Sequence, residues 1–166
     1  MVFTLEHFLN LIDALPKGVE FDYVKASSNK IRLNSVDHIE KYVDANKVDT
    51  TNNKEKSANI TSESLAIFVK KVVENKPLHI ESVWNGSGSS RSAWEGLFAH
   101  TSEFYTYFSK GRKFLVWVPT MPHEVGKIVT LSDEQINELK TNTTNSDYIK
   151  YIDIIIAAKH IERIRA

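Results

Sequence analysis

Two hydrophobic periods alternate along this chain, and their mixture limits its possible folds more than any other feature. Leu5, Phe8, Leu9, Leu11, Ile12 and Leu15 fall at the spacing of one helical face, as do Leu65, Phe68, Val69, Val72 and Val73. Between and after them come short runs rich in aromatic and β-branched residues, which read as strands: 21–24, 31–33, 78–84, 104–108, 113–118 and 125–131. The two periods do not follow a regular strand–helix–strand order. The expected class is therefore α+β, with mostly antiparallel pairs. The clearest pair is a hairpin in which Lys110-Gly111-Arg112 separates two aromatic strands.

Boundary residues refine the pattern. Thr4 is placed to cap a helix over 5–15, which Pro16 and Gly18 end. Asp37 suits the cap of a short helix through Tyr42. Residues 44–59 are rich in Asn, Thr, Lys and Asp, and read as one long surface loop inside the domain. Thr61 or Ser62 caps a helix through Val73, a short helix from about Ser92 to Ala99 packs Trp94, Leu97 and Phe98, and Ser132 caps another through Leu139. Residues 148–156 lead into a charged end, where a terminal helix is favoured although Ile154-Ile155-Ile156 suits a strand equally well.

Composition excludes several function classes. At 166 residues the chain is expected to form one domain, long enough to bury a core without a metal or disulfide. It has no cysteine, so a disulfide framework, a thiolate zinc site and a cysteine nucleophile are all excluded, and a reducing, cytoplasmic setting is expected. Glu6, His7 and Asp13 interrupt the apolar start, unlike a signal peptide, and no apolar run reaches the ~20 residues of a membrane span. No cofactor and no membrane partner are expected. The 21 basic and 21 acidic residues cancel, which counts against indiscriminate nucleic-acid binding but leaves room for local basic loops.

The most informative segment is Asn85-Gly86-Ser87-Gly88-Ser89-Ser90-Arg91, between a predicted strand and a predicted helix. Glycines permit tight turns and close approach. Serine hydroxyls and free N–H groups donate hydrogen bonds, the helix N-terminus adds partial positive charge, and the Arg91 fork matches phosphate. The loop lacks the lysine of a P-loop, the third glycine of a dinucleotide fingerprint and the flanked serine of a hydrolase elbow. It reads either as an anion-binding turn or as a flexible connection with a solvated arginine. Basic residues also gather at other predicted turns: Lys25, Lys30 and Arg32, with Ser27, Ser28 and Asn29 between them, and Lys110, Arg112 and Lys113 at the hairpin. A solubilising hairpin tip is the plain alternative for the latter.

Other constellations are weaker. His79, His100 and His123 show no metal-ligand spacing and suit core or surface roles, and no metal site is expected. Asp22 with Glu74-Asn75-Lys76 loosely matches the acidic-x-lysine half of a nuclease site, but a charged pair at a helix end is ordinary. Trp84, Trp94 and Trp117 are able to stack on bases, yet their apolar neighbours place at least two of them in the core.

The run 83–91, a short helix ending near His100-Thr101, an aromatic strand and a basic hairpin together resemble the N-terminal DNA-recognition domain of LlaJI-type, McrBC-like restriction endonucleases. The resemblance is strongest over residues 78–120. It implies a B-three-type DNA-binding pseudobarrel like that of EcoRII and BfiI, with two arms embracing the major groove. Residues 25–32 would be one arm and 85–91 the other. It further implies a non-catalytic, site-specific binder of double-stranded DNA, as an N-terminal fragment of a GTP-dependent restriction endonuclease whose nuclease subunit is recruited through the missing C-terminal region. The alternative is a protein that holds a nucleotide or phosphorylated small molecule in the 85–91 loop.

Overall fold

The computed structural model describes residues 2–74, 78–84 and 90–141. It opens with helix α1 (Leu5–Asp13), which starts where the Thr4 hydroxyl accepts a hydrogen bond from the His7 N–H (3.1 Å). Phe8, Leu9, Leu11 and Ile12 form its buried face. Strands β1 (Glu20–Asp22), β2 (Asn29–Asp37), β3 (Tyr42–Asp49) and β4 (Lys54–Ser57) then build an antiparallel sheet in chain order.

Two expectations fail in this sheet. No helix starts at Asp37. Its Oδ1 instead accepts the N–H groups of Ile39 (2.9 Å) and Glu40 (3.0 Å), closing a hairpin turn in which Lys41 has φ 57°. Asparagine and aspartate serve turns as readily as helix caps, and cross-strand pairing of Asp37 with Tyr42 decides the outcome. Residues 44–59 are likewise mostly strand. Val43, Ala45 and Val48 are the buried anchors among half-buried polar neighbours, and Asp49 holds the second turn through Thr51 and Asn52.

Helix α2 (Ser62–Glu74) follows, with Thr61 Oγ1 accepting from the Ser64 N–H at 3.2 Å. The strand expected over 78–84 shrinks to β5 (Leu78–His79) and a 3₁₀ turn (Ile80–Ser82). Helix α3 (Arg91–Ala99) leads into the expected hairpin, β6 (Phe104–Ser109) and β7 (Arg112–Trp117). Lys110 (φ 50°) and Gly111 (φ 76°) form its two-residue turn, a left-handed pair that matches strand twist. Of the expected strand at 125–131 only β8 (Thr130–Leu131) forms, parallel to β6. Helix α4 (Asp133–Thr141) begins with a reciprocal cap: Ser132 N–H donates to Gln135 Oε1 (2.6 Å) and Gln135 N–H to Ser132 Oγ (3.3 Å). The expected terminal helix beyond residue 148 lies outside the described residues.

The fold is α+β, with the second sheet ordered β5-β7-β6-β8. The main core joins α1, α2, α3, the inner face of the first sheet and one face of the second. Phe8, Phe68 and Phe98 form its centre, with ring centroids 4.6–4.9 Å apart. Tyr105, Tyr107, Val116, Val118 and Leu131 fill a smaller core on the other face of the second sheet, closed by Ile136 of α4. Helix α3 ties the sheets together. A Cβ on its Gly96 would lie 2.9 Å from the Asp22 carbonyl oxygen and 3.0 Å from Tyr23 Cα, so glycine permits the contact with the end of β1. Among the described residues no strand pairing joins the two sheets into a closed barrel. None of their helices is long and apolar enough to cross a membrane.

Candidate functional site

The first basic stretch leaves β1, loops out and returns as β2. Side chains alternate across a strand, so Ile31 and Leu33 enter the core while Lys30 and Arg32 face outward. Lys30 is ion-paired with Asp22 across the β1–β2 ladder. Arg32 makes a two-pronged pair with Glu55 of β4, at 2.6 and 2.8 Å. That pairing holds the Glu55 carboxyl below the usual carboxylate range. Within the loop, Ser27 Oγ accepts the Asn29 N–H (3.0 Å). The Ser28 carbonyl accepts both the N–H (3.1 Å) and the hydroxyl (2.6 Å) of Thr50, which docks the loop onto the β3–β4 turn. Lys25 is exposed and reaches across the molecule to the Gly111 carbonyl at 3.4 Å. The loop thus meets the tip of the β6–β7 hairpin, where Lys110 and Arg112 are also exposed. Proximity of these two basic turns is a tertiary fact with no local signal.

Lys113 does not belong to that tip. It lies two residues from Leu115 and so shares the inward face of β7. Its Nζ sits 2.8 Å from Oε1 of Glu95, a fully buried residue of α3. Burial drives the Glu95 carboxyl above its usual range, and the Lys113 ammonium opposes that rise. Neither Glu95 oxygen has a well-formed hydrogen bond among the described residues, so the Lys113 charge is the compensation. Lys113 is therefore an internal counter-ion and presents no charge to a ligand.

Asn85, Ser87 and Ser89, with the glycines between them, lie outside the described residues. Ser90 and Arg91 flank that segment at the start of α3. The Arg91 guanidinium donates from Nη1 to the Glu81 carbonyl at 3.2 Å. Arg91 remains partly exposed.

The remaining candidates make contacts within the fold. His100 is buried, its Nδ1 2.6 Å from the Gly96 carbonyl, and burial lowers its basicity. His123 faces the Glu124 and Phe104 carbonyls at 2.8 and 2.6 Å, and His79 bonds the Lys113 carbonyl at 3.0 Å. Trp84 and Trp94 are buried in edge-to-face contact, and the Trp117 indole donates to Glu103 at 3.0 Å. Asp22 is engaged by Lys30, and Glu74 lies 3.9 Å from Lys71 on its own helix. Among the described residues no group of three His, Asp or Glu side chains is gathered as a metal site would require.

A basic feature missed in the sequence lies on β3 and β4. Lys47, Lys54 and Lys56, with Asn29, Asp49 and Asn52, line an open concavity of about 360 Å³. The signal available was the alternation Val43, Ala45, Lys47, Asp49, which a loop assignment obscures.

Comparison with known proteins gives one relevant likeness. The chain is 25% identical over 180 aligned positions to the type II restriction enzyme NmeDI of Neisseria meningitidis serogroup C. The match takes in 96% of this chain but only 50% of that protein, so the chain spans about half the length of the relative. No family model matches the chain. No solved structure matches it either.

Proposed function

We propose that this chain is the DNA-recognition module of a restriction system, a site-specific binder of double-stranded DNA without a catalytic centre of its own. The observation that carries this is the alignment with a restriction enzyme, which takes in nearly all of this chain and only half of the enzyme. Such a partition suits a protein in which recognition and cleavage occupy separate parts. Cleavage would then belong to a nuclease region or subunit joined to this module, as in LlaJI-type systems.

The geometry supports the finer reading as a B-three-like pseudobarrel. Two mostly antiparallel sheets share a core, and α3 bridges them. The first arm would be the loop from Lys25 through Ser27 and Ser28 to Asn29, with Lys30 and Arg32 at its base. The second would be Asn85, Ser87, Ser89, Ser90 and Arg91. Lys25, Lys110 and Arg112 supply exposed positive charge where the first arm meets the hairpin. Phosphate contacts there would set the register of the module, and amide, hydroxyl and guanidinium groups on the arms would read base edges.

A random-site duplex selection with the chain tests this directly. The expected result is enrichment of one sequence, bound with an affinity that falls steeply as salt rises. Arg91→Ala should then cost about 1–3 kcal/mol of specific binding and relax selectivity at one position. Absence of any enriched duplex, or binding indifferent to salt, would refute the proposal. Cleavage by the chain with magnesium would refute its non-catalytic part.

A further inference from the structure

The inner face of the first sheet changes character along its length. The register places Leu33 opposite Ala45 and Ile31 opposite Lys47, so all four share one face. Near the helices that face is apolar, and Ile31, Leu33 and Ala45 are completely buried. Toward the β3–β4 turn the same face continues as Asn29 on β2, Lys47 and Asp49 on β3, and Lys54 and Lys56 on β4. There the core ends and the face borders the open 360 Å³ concavity.

Its charges act on the sheet in both directions: Asp49 stands opposite Lys54, an attractive pair, while the other pair is of like charge. Lys47 and Lys56 stand directly opposite each other across the β3–β4 ladder. Like charges in that relation destabilise a strand pair. Burial, and then the neighbouring Lys56 charge, hold the Lys47 ammonium below its ordinary range. Asp49 is the acid in the lining: it accepts the Thr51 N–H (3.0 Å), the Asn52 N–H (3.3 Å) and the Asn52 side-chain amide (2.9 Å). These bonds, Asn52 foremost, together with the Lys54 charge opposite hold its carboxyl below the usual range, so it offsets part of one lysine. Edge strands often carry lysine to block strand addition. That role would explain Lys54 and Lys56 on β4; Lys47 lies on the interior strand β3.

We propose that this concavity is a phosphate-binding groove that takes consecutive phosphodiester groups of duplex DNA, with Lys47, Lys54 and Lys56 supplying charge and Asn29 and Asn52 neutral hydrogen bonds. Lys54 and Lys56 are two strand residues apart, roughly 6.5 Å along β4, a spacing comparable to one phosphodiester repeat. The Thr50–Ser28 hydrogen bonds fasten the rim of the groove to the first arm, so a duplex on that arm runs beside the lysines. This assignment rests on the DNA-recognition reading. It adds a further contact region, one whose contribution is independent of base sequence.

The test is a fluorescence-anisotropy titration of a mixed-sequence duplex over a range of salt, with the unaltered chain, Lys56→Gln and Lys54→Gln/Lys56→Gln, alongside thermal melting without DNA. Each lost phosphate contact should reduce the slope of log affinity against log salt by about one. The loss of affinity between about 50 and about 200 mM salt should shrink roughly threefold per lysine. All duplex sequences should be weakened alike. Melting of Lys56→Gln should occur at the same temperature as the unaltered chain or higher, because a repulsion is removed. An unchanged slope for the double variant, with DNA binding otherwise intact, would overturn the groove and leave the DNA-recognition reading standing. No duplex binding by the unaltered chain would overturn both. Weaker binding to inorganic phosphate in the double variant, without a change in duplex affinity, would reassign the groove to a small anion and likewise overturn it.

Discussion

The two sheets use charge in opposite ways. Away from its hairpin tip, the second sheet keeps charged residues buried and individually compensated: Lys113 against Glu95, and Glu103 held by His7 (2.9 Å) and the Trp117 indole (3.0 Å). In the first sheet they lie on the surface in extended sets. Arg32 pairs with Glu55, Lys30 pairs with Asp22, and the lysines of β3 and β4 face an open groove. A buried pair tolerates little change, because removing one member leaves the other desolvated and unpaired. An exposed set is only weakly stabilising and screened by salt. The second sheet below its hairpin tip therefore reads as scaffold, and the first sheet, with that tip, as the surface where charge is available to a polyanion.

The largest effect should come from breaking the scaffold pair. Lys113→Met keeps much of the stem volume and removes the charge, leaving Glu95 buried without a counter-ion. About 3–5 kcal/mol of stability should be lost at neutral pH. Burial already raises the Glu95 carboxyl above its usual range, so the folded chain binds that proton more tightly than the unfolded one. Stability therefore falls as pH rises from the ordinary carboxylate range through the folded value. In Lys113→Met the folded value moves further up, and acidification should recover part of the loss. Glu95→Gln/Lys113→Met should recover more of it. Urea unfolding of the variants across pH measures all three outcomes, and a mild, pH-independent loss would show that Lys113 is not buried as described.

A smaller effect tests whether the two sheets are one mechanical unit. Gly96→Ala places a methyl group against the backbone of Asp22 and Tyr23, and backbone yields less readily than a side-chain end. The expected cost is about 1–3 kcal/mol. Hydrogen exchange should then show faster opening of β1 together with α3. If α3 alone is affected, the sheets respond independently.

The sequence conveyed this architecture unevenly, for identifiable reasons. Helices α1 and α2 and the β6–β7 hairpin were legible because each carries a strong period and its own boundary chemistry: Thr4, Thr61 and the Lys110-Gly111 turn. Strands β3 and β4 were not, because the far end of the first sheet is polar on both faces and only Val43, Ala45 and Val48 mark its buried positions. The same polarity hid Lys47, Lys54 and Lys56. Lys113 was misplaced although its hairpin was found. Its separation of two from Leu115 already indicated the inward face, whereas its buried partner Glu95 comes from a helix and has no local signature. The meeting of Lys25 with the hairpin tip depends on two segments 86 residues apart, which no local period encodes.

On the exposed side, removing an acid should help. Glu55→Gln releases the Arg32 guanidinium from its two-pronged pair and deletes one negative charge from the outer face of the first sheet. If that face meets DNA, affinity for any duplex should rise several-fold and the salt slope should steepen by up to about one. Arg32→Gln should cancel the gain. Unchanged affinity in Glu55→Gln would confine DNA to the two arms, the hairpin tip and the groove, and sharpen the division between the two faces of this one sheet.

The smallest expected effect lies at the opposite end of the first sheet, where the β2–β3 turn is fastened to α1 by titratable groups. His38 Nε2 is 3.0 Å from Asp13 and Nδ1 is 3.2 Å from Glu6, while Lys17 pairs with Asp13 (2.6 Å) and Lys41 with Glu6 (2.8 Å). The hydrogen bond to Asp13, then that to Glu6, holds His38 above its ordinary value. Lys41 first and His38 second hold Glu6 below its own, and Lys17 then His38 do the same for Asp13. The signs define a window. The His38 contribution is fully present below its unfolded value and is lost as pH rises through the folded one. The Glu6 and Asp13 contributions are present above the ordinary carboxylate range and are lost as pH falls through their lowered values. Fastening should therefore be strongest in mildly acidic solution and weaken on either side. All of these side chains are at least partly exposed, so global stability should change little. The readout is local: after correction for intrinsic exchange, amide protection at residues 38–41 should fall as pH rises through the His38 transition, and His38→Gln should remove that dependence. Equal pH dependence in His38→Gln would mean that the turn is held by Asp37 and Lys41 alone. It would also remove one place where the first sheet's surface charge performs the fastening that buried pairs perform in the second.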